Sequence, residues 1–168
     1  MRSMALGYTL IEILVVLLII SIVTSVGLLS IRFNENKKLE TFANELTQLM
    51  TLAEEEALLK PQVIGLFLSN QSLQFSILKE DAEDNKKEIW VPLQDLTLGL
   101  HPIPHNIQVD LFINHQRIAL DEKINPQIII STNGDPTPFI MYVGKKGERP
   151  HYAVTGDADG NVASKSLS

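Results

Sequence analysis

The chain reads as an α+β protein: a long N-terminal helix, its first half transmembrane, packed through its second half onto a C-terminal antiparallel β-sheet domain. Three observations predict this. Nineteen residues from Ile13 to Ile31 carry no charge. An apolar stripe of helical period follows from Leu39 to Ala57. After Pro61 the period changes to two, with Gly, Pro and Asn between short apolar runs.

The composition narrows the function classes. The 168 residues suit one domain of ordinary size or a small domain plus an appendage, and the net charge of −6 argues against a general nucleic-acid binder. Cysteine is absent, which excludes disulfides, thiolate metal sites, a cysteine nucleophile and a lipidated N-terminal cysteine. The mean hydropathy of +0.09 is high for a chain with this many charges, so the apolar residues must be unevenly placed.

The uncharged run would span roughly 28 Å as a helix, close to the hydrocarbon thickness of about 30 Å. It is apolar all round, unlike a buried soluble helix with one polar face. It exceeds the usual apolar core of a secretory signal, and no small-x-small cleavage site follows it, so a retained membrane helix is expected. Only Arg2 and the initiator amine precede it, whereas Arg32, Lys37 and Lys38 follow. Counted alone, that bias would put the C-terminal side in the cytoplasm.

Helical pattern continues beyond. Leu39, Phe42, Ala43, Leu46, Leu49, Met50, Ala53 and Ala57 form one apolar stripe, with Glu40, Glu45, Gln48, Glu54 and Glu55 largely off it. Pro61 ends the helix. Gly27 is the only glycine between Tyr8 and Lys60, and proline is absent there. Asn34, Glu35 and Asn36 are the weakest stretch, where a kink or fray is expected.

Val63 to Ser69 and Leu73 to Leu78 predict a hairpin, with Leu73, Phe75 and Ile77 on one face. Lys79 to Glu88 is a charged, solvated loop. Ile89 to Val91 and Leu96 to Leu100 are short strands around Pro92. Ile107, Val109, Leu111 and Ile113 alternate, and a turn at Asn114–His115 leads into Arg117 to Leu120. Ile128 to Ser131, Phe139 to Val143, His151 to Thr155 and Asn161 to Ala163 complete the strands. The stripe on the helix needs an apolar partner and the sheet needs a cover, so each serves the other.

The stretch Gly7-Tyr8-Thr9-Leu10-Ile11-Glu12 carries the most functional information. Thr9 and Glu12 have capping-box spacing, in which the two side chains satisfy the first amides of a helix. A glutamate in the lipid is costly, about 2.5–3.5 kcal/mol at the centre of a membrane helix. The stretch, with the apolar helix behind it, resembles the cleavage region of type IV prepilins and type II secretion pseudopilins. There a short leader ends in glycine, an aromatic or apolar residue follows, and a glutamate stands at the fifth mature position; Tyr8 occupies the place usually held by Phe. The resemblance implies a type IV pilin-like fold with four parts: a leader at 1–7, a transmembrane half-helix at 8–31, an amphipathic half-helix at 32–60 and a periplasmic β-rich domain at 61–168. It implies that a prepilin peptidase cuts between Gly7 and Tyr8 and methylates the amine of Tyr8. It also implies that Glu12 serves filament assembly by pairing with the N-terminal amine of a neighbouring subunit, since an unpaired buried charge is expensive.

Trp90 to Asp95, Leu100 to Asn106, Thr132 to Phe139 and Tyr152 to Val162 look like the domain of the H-type minor pseudopilins, which is shared with FimT-like minor pilins. This similarity implies a single-pass protein of the bacterial inner membrane with its C-terminal domain in the periplasm. It would be a structural part of the pseudopilus that drives export of folded proteins across the outer membrane. Its partners would be other minor and major pseudopilins, the prepilin peptidase and the secretion platform. The alternative is a FimT-like minor pilin in pilus assembly or DNA uptake.

Neither a catalytic centre nor a cofactor is expected. His101, His105, His115 and His151 lack metal-ligand spacing and read as surface or turn residues. Asp157, Asp159, Gly160 and Asn161 lack the distal glutamate of a calcium loop and read as a β-turn, so no metal is expected there. Lys145, Lys146 and Arg149 read as part of a solvated hairpin turn at Gly144 to Gly147 rather than a nucleic-acid site, given the acidic chain.

Overall fold

The computed structural model describes residues 9–81, 87–120, 125–133 and 135–167, with the side chains of 26–34 outside the description. Helix α1 covers Leu10–Leu59. It continues through Asn34 to Asn36, where fraying was expected, because extending a formed helix adds one hydrogen bond per residue fixed. It ends at Leu59, two residues before Pro61, with Lys60 donating to Glu56 from both its amide and its ammonium group. The chain divides into two compact units, Met1–Lys38 and Leu39–Ser168.

Among the described residues the second unit holds the C-terminal part of α1 and ten strands. The strands are β1 (Ile64–Leu68), β2 (Ser72–Glu80), β3 (Glu88–Pro92), β4 (Leu100–Pro102), β5 (Ile107–Ile113), β6 (Gln116–Ile118), β7 (Ile128–Ile130), β8 (Phe139–Lys145), β9 (Pro150–Gly156) and β10 (Val162–Ser166). They form two sheets rather than one. The first has the order β3-β2-β1-β7, with β4 also pairing to β2; the second has the order β10-β9-β8-β5-β6. Every pairing is antiparallel.

All eight residues of the apolar stripe are buried, from Leu39 to Ala57. They share one core with Ile64, Leu66 and Phe75 of the first sheet and Val109, Leu111 and Met141 of the second. Period two decides which strand residues join that core. Gly65, on the opposite face of β1, leaves room for Pro126 and the Trp90 ring, each 2.7 Å from where a β-carbon would stand. Phe67 meets Trp90 edge-on there, at 6.1 Å between ring centres.

Three strand expectations shift. Lys79, Glu80 and Glu88 belong to the β2–β3 ladder rather than to the charged loop, and 82–86 lie outside the described residues. Leu96 to Gly99 is a turn, not a strand, because the Asp95 carboxylate accepts the amides of Thr97 and Leu98. Gly144 lies in β8 at a bulge rather than in the hairpin turn, where Gly147 has φ +79°. The turn at Asn114–His115 forms as expected, both residues having positive φ, which matches the twist of a tight hairpin.

Candidate functional site

Of the three residues in the sequence-based site, Gly7 and Tyr8 lie outside the described residues. Glu12 stands exposed in the first turn of α1, at the positive end of the helix dipole. Thr9 caps that end. Its carbonyl accepts the amides of Glu12 at 3.0 Å and Ile13 at 3.3 Å, and its hydroxyl accepts the Glu12 amide at 3.3 Å. The threonine half of the capping box is therefore formed. The cap engages the amide of Glu12, not its carboxylate.

Behind Glu12 the helix is apolar on every side. Leu10, Ile11, Ile13 through Ile20, Ile22 and Val23 are each between 45% and 84% exposed. Successive residues turn about 100° around the helix, so no face of this stretch is shielded. Such a surface exceeds what a water-soluble protein ordinarily shows. The polar groups within it are turned inward: Thr24 donates to the Ile20 carbonyl at 2.6 Å and Ser25 to the Ser21 carbonyl at 2.7 Å. Among the described residues no helix is long and apolar enough to cross a membrane. The described side chains of this run stop at Ser25, whereas its sequence continues to Ile31.

In the second unit, Asp157 to Asn161 is a tight turn. Asp157 Oδ1 accepts the amides of Asp159 at 3.0 Å and Asn161 at 2.9 Å. These bonds, chiefly those from Asn161, hold the Asp157 carboxyl below its ordinary range. Among the described residues no group of three or more His, Asp or Glu could hold a metal ion. Asp157, Ala158 and Asn161 of the turn line a groove of about 460 Å³ together with Phe112, His115, Ile140 and Ala163.

Two histidines differ from the surface reading. His101 is half-buried, with Nδ1 3.7 Å from the Glu45 carboxylate and Nε2 2.9 Å from the Thr97 carbonyl. His151 is half-buried as well. Glu54 differs most: expected off the stripe, it is only 6% exposed. Its position four after Met50 and three before Ala57 was the available signal, since that spacing puts it on the buried face.

Comparison with known proteins agrees with the geometry. The prokaryotic N-terminal methylation motif matches residues 2–28. Type II secretion system protein H of Pseudomonas aeruginosa is 27% identical over 152 residues, covering 84% of each chain. The Aeromonas hydrophila protein of the same name is 25% identical over 166 residues, covering 91% of this chain and 88% of that one. The minor pseudopilin EpsH of Vibrio cholerae superposes with a TM-score of 0.64 at 22% identity, covering 76% of this chain and 95% of its own. Escherichia coli GspH, solved in solution, gives 0.58 at 20% identity, covering 74% and 84%. The N-terminus thus carries a prokaryotic methylation motif, most of the chain is similar to type II secretion system protein H, and the α+β fold is that of the pseudopilins EpsH and GspH.

Proposed function

We propose that this chain is a structural, non-catalytic subunit of a type II secretion pseudopilus, processed at its N-terminus and anchored in the bacterial inner membrane. The carrying observation is the apolar stretch from Leu10 to Val23, exposed on all sides behind a capped Glu12. Two environments suit it in turn: lipid before assembly, and the packed helices of a filament afterwards. The leader Met1 to Gly7 is removed, and the new amine on Tyr8 is methylated. In the filament this amine and the Glu12 carboxylate of a neighbouring subunit lose water together, so pairing them offsets the desolvation of each and fixes the register. The partners are other minor and major pseudopilins, the prepilin peptidase and the secretion platform. The amphipathic half of α1 and residues 61–168 stand in the periplasm.

Intact-mass measurement of the protein from its native membrane tests the processing. A chain beginning at N-methylated Tyr8 is expected; an uncut chain overturns the reading. Alkaline phosphatase fused after Ser168 tests the orientation, against the simple count of Arg32, Lys37 and Lys38. Active phosphatase is expected, because the enzyme matures only in the periplasm; an inactive, stable fusion overturns the placement.

A further inference from the structure

Glu54 lies five residues before the end of α1 at Leu59, on the face turned to the core. Its Oε1 is out of reach of water and has no hydrogen-bond partner among the described residues. A buried carboxylate without a partner is costly, whereas the neutral acid is much less so. Asp157, in the β9–β10 turn, is near enough for its charge to act on Glu54. Burial first, and then the charge of Asp157, raise the Glu54 carboxyl to about 7. Asp159 in the same turn is exposed. On the helix, Glu55 is exposed, and Glu56 pairs with Lys60 at 2.7 Å. The turn is tied to the helix through the strand that follows it, because the Ser164 hydroxyl bonds to Asn44 Oδ1 at 2.8 Å.

We propose that Glu54 is a protonation switch for the β9–β10 turn: neutral, it stays buried and leaves the turn in place beside α1; ionised, it repels Asp157 and loosens the turn. Asp157, Ala158 and Asn161 also line the groove, so the switch acts on its lining. The direction follows from linkage. The folded protein holds this proton up to about pH 7, whereas an unfolded glutamate loses it near its ordinary 4.5. The contribution of neutral Glu54 is complete below that ordinary value and is lost as pH rises towards and through 7.

The full chain in detergent micelles, unfolded by heat between about pH 5 and about pH 8.5, tests this. The wild-type midpoint is expected to fall by several degrees across the window, and Glu54→Gln to remove most of the fall. Equal slopes in the two proteins overturn the proposal. Hydrogen exchange then locates the effect. The amides of Asp159 and Asn161 should lose protection at the higher pH in wild type and keep it in Glu54→Gln, once intrinsic rates are corrected. Identical loss in both proteins overturns it as well. A carbon-13 titration of the wild-type carboxyl gives a reading that needs no variant: a midpoint above about 6 supports the switch, and one in the ordinary carboxylate range overturns it.

Discussion

At Glu12 the helix cap and the proposed filament contact are separable, because the cap engages the amide and the residue is exposed. Glu12→Ala should leave the chain in the membrane but out of the filament. Membrane fractionation with cross-linking to the other pseudopilins checks both halves, and normal incorporation with normal secretion would sink the pairing. Replacing Gly7 by a bulky residue should leave the leader attached, seen as a heavier intact mass. Gly65→Ala drives a methyl group towards Pro126 and Trp90, so a loss of about 1–3 kcal/mol is expected in denaturant unfolding. At this scale the sequence was uneven as a guide. The cap at Glu12 was legible because Thr9 and Glu12 have capping-box spacing ahead of an apolar run. Glu54 was not, because a single acid among several glutamates reads as solvated unless its spacing to Met50 and Ala57 is weighed above its polarity. His101 was hidden for another reason: its partners Glu45 and Thr97 come together only once β4 lies alongside the helix.

Among the elements, the second half of α1 was read almost residue by residue, since a stripe at helical spacing has one physical solution when a sheet lies beneath it. Leu46→Ala, at the middle of that stripe, should cost about 2–5 kcal/mol, measured by chemical unfolding of the domain. A loss below about 1 kcal/mol would mean that the helix is not packed as described. Strands with clean alternation, such as β5, were legible for the same reason. The segment from Leu96 to Leu100 was not: its apolar residues suggest a strand, but the upstream Asp95 side chain captures two amides and bends the backbone into a turn. Only the end of the segment reaches β2, through β4. A local side-chain bond overrode a local propensity, which composition over five residues does not reveal.

For the whole molecule, the change of period at Pro61 disclosed a helix followed by an antiparallel β domain, while the division into two sheets was not disclosed. Strand pairing is a long-range property, and nothing local distinguishes one ten-stranded set from two sets of five. The compact unit from Leu39 onward contains its own core. A chain truncated to begin at Asn34 should therefore fold and stay soluble, with a cooperative thermal transition; aggregation or a non-cooperative melt would contradict that division. The β3–β4 turn has a practical consequence for following such a protein in its filament. Leu96 is fully solvent-facing, at 102% of its reference exposure, and the chain has no cysteine of its own. Leu96→Cys would give the molecule a single thiol at a site that supports no packing, so one maleimide dye could mark each subunit in living cells without touching the core.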